Sequence, residues 1–531
     1  MLRKVAVIVL LLAALAPSAY LAFQLRAMPH LGYYHDDSVY WSSAKSLAEG
    51  NGYRIASLPG EPYQTKYTPV YPALLALIWK LNPNFPSNLP SATLLAWCLF
   101  PPYLAMVWLI LPQLGFAGWQ RTVLWVSSAL SPVAVVFSFS LMPELLFVPL
   151  LLGSILLAEK ASERPDRRWL ALLAGVLGAI AYLTKSIAGP LIISVPACFL
   201  LRREWRNAIL FVAAMLPAPL VWQWWMSHHL SHLTDLATLY YTNYVGYQIY
   251  NVPWRDLPIV VWHNFDLYLM GVGKLLTFDV PYGSKHLERI VAVAAIVGCV
   301  RLTRRSGRWQ YPAVALVMSA LMLVWHDMPD QRVVFPLFPL LAAGLWTEFE
   351  NVCRALRSSW RKPAFADRAV AFLGAGAVAA FAAFIAFTTI FGLFRFLPEL
   401  FDNYRADLAA RQPAYDWIKR NTPADASIFA YDDPLVYLYT GRRSLGIPIP
   451  PKLQYHEDDA GLDRLVDSIP QFAGEHGLSY ALVTRDDFYR DLRDRGKDRE
   501  RAVMSTERPV FSSSGADVYQ LSITRAVASA R

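Results

Sequence analysis

Charged residues and cysteines are both scarce in this sequence. Of its 531 residues, 17% are charged and 55% are hydrophobic, whereas soluble domains typically carry roughly 25% charged residues. The four cysteines, Cys98, Cys198, Cys299 and Cys353, lie in or beside apolar runs and have no metal-ligand spacing. Neither a disulfide framework nor a zinc site is therefore indicated. The composition predicts a polytopic α-helical membrane protein.

The surplus of basic residues does not indicate nucleic-acid binding. The net charge is +9, but Lys and Arg are spread through short loops between apolar runs and form no single basic patch. The dense basic loops alternate along the chain so that they share one side of a membrane, which predicts a cytoplasmic N-terminus. Residues 24–88, residues 227–288 and the chain after residue 397 are then extracytoplasmic. We expect no nucleic-acid partner.

Long apolar runs define a membrane domain over residues 1–397. Because a helix needs about 20 mostly apolar residues to cross a bilayer, we expect about eleven transmembrane helices. The predicted spans are residues 5–23, 89–114, 122–140, 143–157, 169–183, 186–201, 208–226, 290–300, 311–325, 333–346 and 369–397. We expect the last span to tilt or kink at Gly374 and Gly376. The short, proline-broken run at 67–81 predicts a re-entrant or interfacial helix.

The composition changes after residue 397, where charged residues become frequent and apolar runs shrink to strand length. Helix patterns alternate with strand patterns, at 412–420, 434–439 and 462–476 for helices and at 427–430, 480–483 and 518–523 for strands. This alternation predicts a small extracytoplasmic α/β domain over residues 398–531. No glycine-rich phosphate loop precedes its helices, so we expect no nucleotide.

Ionisable side chains are absent from the middle of the predicted spans. Ion-coupled transporters hold acids, bases or broken helices near the midplane, so this absence argues against a transporter. The polar residues gather instead at the outer ends of the spans. The sequence therefore predicts a site at the extracytoplasmic membrane surface.

Asp36 and Asp37 are the central candidates for chemistry. A second carboxylate and the rings of Tyr34 and Tyr40 crowd each of them, which raises a carboxyl pKa and suits a general base that deprotonates an acceptor hydroxyl. One of the pair would then be the base, and the other would orient a group or bind a divalent metal. Alternatively, Asp37 is the N-cap of a helix over residues 39–49 in a solvated loop. No other cofactor is indicated.

Three cations stand near the membrane on the side where basic residues are depleted. Lys66, Lys185 and Arg332 together would bind a lipid phosphate and stabilise charge on a leaving phosphate. Arg332 would do so through a bidentate contact of its guanidinium group. Ordinary interfacial snorkelling is the alternative for each of them.

Several other residues near the extracytoplasmic membrane surface are candidates for lining a substrate pocket. Tyr40 and Tyr67 flank the candidate base and the candidate cation. Glu144 opens a span, where the alternative is a first-turn acid that complements the helix dipole. The roles of His326 and Asp327 stay open.

A histidine group adjoins the membrane in the second outer loop. His228, His229 and His232 have helix-like spacing. Without a matching acid, this spacing suits an interfacial helix end better than a metal site.

Four motifs, in order along the chain, resemble those of the GT-C glycosyltransferases, the superfamily of protein O-mannosyltransferases and aminoarabinose lipid A transferases. They are Asp-Asp-Ser-Val-Tyr at 36–40, Lys-Tyr-Thr-Pro-Val-Tyr-Pro at 66–72, Pro-Glu-Leu-Leu-Phe at 143–147 and the run from Ala-Gly to Thr-Lys at 174–185. Arg332 with its proline-rich span adds a fifth match.

The resemblance implies a GT-C-type fold and an inverting transfer from a sugar carried on a polyprenyl phosphate, in a bacterial-type inner membrane. The implied base is an acid of the first outer loop, here Asp36 or Asp37. Lys66 and Arg332 would contact the donor phosphate, and Lys185 stands where the family more often has Arg. The acceptor would be a hydroxyl of a lipid, a polysaccharide or a protein.

A physical argument favours the same donor. The extracytoplasmic side lacks nucleotide sugars, so an activated sugar must arrive on a carrier that crosses the membrane. Two rival functions remain, namely a transporter or flippase for an amphiphilic lipid-linked substrate and a non-enzymatic scaffold that binds a partner through the C-terminal domain.

Overall fold

The computed structural model describes residues 2–164, 166–231, 235–278, 284–485, 487–488 and 508–521. The chain is mainly helical. The first helices are α1 (Leu2–Gln24), α2 (Asp36–Ala48), α3 (Val70–Leu81), α4 (Leu89–Cys98), α5 (Phe100–Ile110), α6 (Gly118–Ala129), α7 (Pro132–Phe137), α8 (Glu144–Glu163), α9 (Trp169–Thr184), α10 (Leu191–Leu201), α11 (Trp205–Met215) and α12 (Pro217–His229). The next are α13 (Leu236–Thr242), α14 (Tyr244–Asn251), α15 (Leu257–Thr277), α16 (Lys285–Ser306), α17 (Gln310–Val324), α18 (Gln331–Val334), α19 (Phe338–Trp360), α20 (Phe365–Phe391) and α21 (Leu397–Asn421).

Within the described residues, five helical segments are long and apolar enough to cross a membrane. They are Leu89–Leu114, Glu144–Glu163, Trp205–His229, Gln331–Trp360 and Phe365–Asn421. Five shorter apolar helices accompany them, at Val9–Gln24, Val70–Leu81, Trp169–Thr184, Ser186–Leu201 and Gln310–Val324. The predicted count of about eleven spans stays a prediction.

Helix α20 shows that the surroundings of these helices are apolar. Its buried residues are Ala371 and Thr388, whereas the large side chains of Phe372, Leu373 and Phe387 are exposed. An apolar helix without a protein partner on most of its surface is stable in lipid, where its backbone groups are satisfied internally. The prediction of an integral membrane protein is therefore supported by the fold as well as the composition.

Helix α20 runs through Gly374 and Gly376, and the tilt or kink expected there stays a prediction. A Cβ on Gly374 would collide with Leu356, so this glycine permits close packing against α19. The backbone changes at Gly392–Phe396, which forms a π-helical turn before α21.

The predicted outer loop over residues 227–288 contains more helix than loop. Three helices, α13, α14 and α15, occupy most of its described part. The run at 67–81 forms α3, which packs against α2 through Trp41 and Trp79; the indole Nε1 of Trp79 donates to the carbonyl of Trp41 at 3.1 Å. These outer helices frame the candidate site.

A small α/β domain follows α21, as predicted. Its elements are β1 (Ser427–Ala430), α22 (Asp433–Thr440), β2 (Arg443–Leu445), α23 (Pro451–Tyr455), α24 (Asp459–Asp467), α25 (Ile469–Glu475), β3 (Tyr480–Thr484), β4 (Phe511–Ser512) and β5 (Ala516–Gln520). The sheet order is β2-β1-β3-β5-β4, with β2, β1 and β3 parallel and β5 antiparallel to both β3 and β4.

Two details of this domain differ from the prediction. The helix expected over 462–476 is divided into α24 and α25, because Pro470 cannot donate a helical hydrogen bond and begins a new helix. The strand expected over 518–523 begins earlier, at Ala516, and residues 522–523 lie outside the described residues.

The C-terminal domain packs directly on the first outer loop. Ser444 N donates to Ser57 O at 2.9 Å, and Leu435 of α22 contacts Gly32. Gly32 has a φ of +93°, and a Cβ there would overlap Leu435. This position therefore requires glycine, both for its backbone conformation and for the close approach of α22.

Candidate functional site at the outer membrane surface

Asp36 and Asp37 begin helix α2, and a left-handed residue precedes them. The N-cap is His35, with a φ of 57°, and not Asp37 as the alternative interpretation proposed. Two successive side chains on a helix point roughly 100° apart, so the two carboxylates enter different surroundings.

Asp37 is buried and bound to backbone. Both of its carboxylate oxygens accept from Gly32 N at 3.1 Å, and Oδ1 also accepts from Ser38 N at 2.7 Å. Burial raises the pKa of Asp37 to about 7 despite these hydrogen bonds. Asp37 thus fixes the shape of the loop.

Asp36 instead faces cations. Arg332 Nη1 lies 2.7 Å from Asp36 Oδ2, and the hydroxyl of Tyr67 donates to Oδ1. Burial alone would raise the pKa of Asp36, but the charges of Arg332 and Lys66 and the hydrogen bonds lower it to about 2. The expectation that crowding raises this pKa is wrong for Asp36 and correct for Asp37. Asp36 is ionised at neutral pH.

Lys66 stands over aromatic rings. Its Nζ lies 3.5 Å from the ring centre of Tyr240, 4.9 Å from that of Tyr244 and 5.2 Å from that of Tyr67. Among the described residues it has no carboxylate within ion-pair distance. Burial lowers the pKa of Lys66 to about 8, although nearby acids including Asp36 oppose the shift. Lys66 is therefore a cation held by π-systems and open to an anionic ligand.

These groups line a cavity of about 510 Å³, which we call the membrane cavity. Most of the predicted site residues line it, namely Asp36, Tyr40, Lys66, Tyr67, Lys185, Asp327 and Arg332. Apolar side chains line it as well, including Ile187, Trp222, Met226, Leu321 and Met322. The predicted residues Asp37, Glu144 and His326 do not line it.

Glu144 and Lys185 form an ion pair beside the cavity. Lys185 Nζ lies 2.6 Å from Glu144 Oε1, and the Glu144 side chain is fully buried. Its other oxygen has no hydrogen-bond partner among the described residues. Most of the charge of Lys185 therefore compensates Glu144, which makes it a weaker anion contact than Lys66.

His326 is a buried packing residue. Its Nδ1 lies 2.6 Å from Gln248 Oε1, and its ring contacts Tyr244 and Tyr247. Burial lowers its pKa, so the ring is neutral. The neighbouring Asp327 faces the cavity and accepts from the Tyr244 hydroxyl at 2.6 Å. His326 thus supports the backbone from which Asp327 projects.

Sequence reasoning missed a second polar cluster between the domains. The hydroxyl of Tyr241 donates to Asp433, 2.6 and 2.8 Å from its two oxygens, and lies 3.1 Å from His35 Nε2. Burial raises the pKa of Asp433 to about 7. A signal was present: Tyr431-Asp432-Asp433 repeats the aromatic and Asp-Asp pattern of the first outer loop.

The aromatic cage around Lys66 was also missed. Tyr240 lies in α13 and Tyr244 begins α14, and the two helices are separated by Asn243. Only the fold brings them to Lys66, because about 175 residues of sequence separate them from it.

The structure offers no support for a metal centre. No group of three or more His, Cys, Asp or Glu side chains in the described part of the chain is arranged to hold a metal ion. The rings of His228 and His229 pack on Trp224 and Trp225, and His232 lies outside the described residues.

Neither a family model nor a curated protein matches this chain. Solved structures of membrane transferases are similar to this chain over most of its length. The crystal structure of apo ArnT from Cupriavidus metallidurans, an aminoarabinose transferase, matches over 92% of this chain and 94% of its own, with a TM-score of 0.47 and 12% identity. The same protein bound to undecaprenyl phosphate matches over 97% and 99%, with a TM-score of 0.49 and 12% identity.

A larger enzyme shows a similar resemblance. The arabinofuranosyltransferase AftD from Mycobacteria matches over 91% of this chain and 39% of its own, with a TM-score of 0.40 and 15% identity. Since all three TM-scores are below 0.5, no residue roles are transferred, and those proposed below depend on the geometry of this chain.

Proposed function

We propose that this protein is an inverting membrane glycosyltransferase, which transfers a sugar from a polyprenyl-phosphate donor to an acceptor hydroxyl on the extracytoplasmic face. One observation carries the proposal. A single cavity is lined by apolar side chains, by the ionised carboxylate of Asp36 and by two cations, Arg332 and Lys66. The apolar side chains suit the lipid chain of the donor, the two cations suit its phosphate, and the carboxylate suits the reaction at its sugar.

The cations suit the donor phosphate. The fork of Arg332 matches two phosphate oxygens, while Lys66 supplies a point charge. Lys66 is the more available of the two, because its Nζ contacts rings and not a carboxylate. With a pKa of about 8, it is mostly charged at neutral pH.

Asp36 is the proposed base. In the absence of an anion it is held by Arg332, and a phosphate arriving beside Arg332 would compete for that guanidinium. The charge that lowers the pKa of Asp36 is then shared, and the carboxylate becomes a better proton acceptor.

The reaction follows from this arrangement. The acceptor oxygen forms a bond to the anomeric carbon as the bond from that carbon to the phosphate oxygen breaks. The acceptor proton goes to Asp36, and the electron pair leaves with the phosphate, whose charge Lys66 and Arg332 stabilise. Asp37 takes no direct part, because the backbone occupies its carboxylate.

The orientation completes the proposal. The distribution of basic loops favours a cytoplasmic N-terminus. Asp36, α13 and the C-terminal domain would then lie on the extracytoplasmic side of a bacterial-type inner membrane. The apolar side chains that line the membrane cavity would receive the polyprenyl chain.

Binding of undecaprenyl phosphate to the purified full-length protein, followed by native mass spectrometry, tests the donor site. We expect the double variant Lys66→Met and Arg332→Met to lose binding and Lys285→Met to retain it. Lys285 is an exposed residue that does not line the membrane cavity. Equal binding by all three proteins would contradict the proposal, and lipid movement across proteoliposomes without sugar transfer would indicate a flippase.

A further inference from the structure

The chain from the N-cap of α13 to the N-cap of α15, residues 235–256, supplies the rings that surround Lys66. We call it the cage segment. Its Tyr240 and Tyr244 have their ring centres 3.5 and 4.9 Å from Lys66 Nζ. A cation–π contact acts only at short range, so the position of these rings determines where the ammonium group stands. Whatever holds the cage segment therefore also positions the proposed phosphate contact.

Both ends of the cage segment contact the C-terminal domain. At the first end, Asp235 Oδ1 lies 3.6 Å from His476 Nε2. At the second end, Asp256 Oδ2 lies 3.0 Å from His456 Nε2. The second pair is within hydrogen-bond distance, and both pairs are ion pairs when the imidazole ring is protonated. Two histidines of the C-terminal domain thus bracket the segment.

Further contacts join the same two parts between these ends. Lys452 Nζ lies 3.4 Å from the ring centre of Tyr250, which is a cation–π contact like that of Lys66. Helix α13 also contributes Ala237 to a buried hydrophobic core that contains Leu462 and Val466 of α24. The cage segment is therefore packed on the C-terminal domain as well as tied to it at its ends.

The rest of the molecule contacts the cage segment near its middle. Thr65 Oγ1 of the first outer loop donates to Thr242 O at 2.6 Å. Gln248 Nε2 donates to the carbonyl of Val324, at the end of α17, at 3.0 Å. Because these contacts lie between the two histidine contacts in the sequence, they leave the attachment of both ends to the C-terminal domain.

We propose that the C-terminal domain positions the donor-phosphate site and that His456, His476 and Lys452 are its positioning residues. The inference rests on the proposed transfer reaction and gives the C-terminal domain a role in it. None of the three lines the membrane cavity, so each acts through the cage segment. Without them the rings around Lys66 would be less restrained. Lys66 would then sample more rotamers, and fixing it at the phosphate would cost more conformational entropy.

Binding of undecaprenyl phosphate to the purified full-length protein tests this inference. The test protein carries His456→Ala, His476→Ala and Lys452→Met together. We expect its dissociation constant for undecaprenyl phosphate to rise about tenfold, equivalent to about 1.4 kcal/mol, since partly exposed ionic contacts each contribute little. The KM for the donor should rise in parallel, with little change in kcat at saturating donor. Lys419→Met, at an exposed lysine of α21 outside the contacts described above, is the matched control and should bind as the unaltered protein does.

A second background separates positioning from a general loss of stability. Lys66→Met retains Arg332, so its weaker binding is measured at higher lipid concentration. Its rings have no ammonium group to position, and adding the three substitutions should not weaken binding further. An equal loss in both backgrounds would show that the three residues act on the fold and not through Lys66, and would overturn the inference.

Hydrogen exchange gives a test that needs no variant. Coupling between two sites is reciprocal, so a donor that binds better to the docked segment must also stabilise its docking. Adding undecaprenyl phosphate to the unaltered protein should therefore slow amide exchange in α23 and α25, which end at His456 and His476. Exchange rates that the lipid leaves unchanged would contradict the coupling.

The failures are distinguishable. An unchanged dissociation constant in the triple variant would overturn the inference, because the first outer loop and α17 would then hold the cage segment without the C-terminal domain. Absence of undecaprenyl-phosphate binding by the unaltered protein would instead remove the proposed function itself.

Discussion

The first outer loop and the C-terminal domain each contain an Asp-Asp pair at the start of a helix, and the two pairs share their inner arrangement. In both, the first aspartate pairs with an arginine, Asp36 with Arg332 and Asp432 with Arg411. In both, the second is buried and accepts from the backbone, Asp37 from Gly32 N and Ser38 N and Asp433 from Gly446 N. Burial raises the pKa of each to about 7.

What differs between the pairs is the number of neighbouring cations. The charges of Arg332 and Lys66 lower the pKa of Asp36 to about 2, and all three side chains line the membrane cavity. Among the described residues, the cation that pairs with Asp432 is Arg411, and Asp432 does not line that cavity. We therefore propose that the neighbouring cations, and not the Asp-Asp motif by itself, distinguish the site at Asp36.

Replacing the two arginine-paired aspartates gives the largest contrast. We expect Asp36→Asn to lower kcat by about 10²–10⁴-fold, which is the range for a lost general base, and Asp432→Asn to lower it less than tenfold. Transfer of labelled sugar in membranes measures both. Equal losses would show that the two loops are not functionally different and would remove Asp36 as the base.

The second cation gives the next effect. Lys66→Met should lower kcat/KM for the donor by about 100-fold, because a charge-assisted contact worth up to about 3 kcal/mol is lost. The pH profile sharpens the test. With a pKa of about 8, Lys66 loses its charge as pH rises through that value, so activity should fall there. Lys66→Arg should retain activity at higher pH. If activity in this variant falls at the same pH as in the unaltered protein, another group causes the fall.

The buried aspartates should affect stability more than catalysis. Their folded-state pKa values of about 7 lie above the unfolded value of 3.8, so the folded protein binds more protons between these pH values. Their contribution to stability is therefore greatest at low pH and declines as pH rises from about 4 to 7. In the double variant Asp37→Asn, Asp433→Asn, the free energy of unfolding should change less between pH 5 and pH 8, as measured by thermal unfolding at both values. A change with pH as large as in the unaltered protein would show that these two aspartates do not cause it.

Hydropathy and local pattern predict much of this fold. The strand predicted over residues 427–430 matches β1, and the apolar runs form helices. These elements were predictable because their formation depends on residues that are close in the sequence. Lys66 and Arg332 were singled out because basic residues are depleted from the outer loops near the membrane, and the two aspartates because tyrosines crowd adjacent carboxylates there. Which aspartate faces the cavity was not predictable, since that depends on the left-handed residues Gly32 and His35.

Contacts between residues that are far apart in the sequence were also not predictable from local patterns. Tyr240 reaches Lys66, and Asp433 reaches Tyr241, only when three separate segments meet. Gly374 is a similar case. Its missing side chain permits close packing against α19, and only the position of Leu356 reveals this.

The smallest expected effect concerns the link between the two loops. Tyr241→Phe removes the hydroxyl that donates to Asp433 and lies beside His35. Because a buried acceptor loses its donor, we expect the free energy of unfolding to fall by about 1–3 kcal/mol. Since His35 precedes Asp36, kcat should fall less than tenfold while donor binding is unchanged. A loss of kcat as large as that in Asp36→Asn would instead show that Tyr241 takes part in the reaction. The loop at Asp433 would then contribute to catalysis as the loop at Asp36 does.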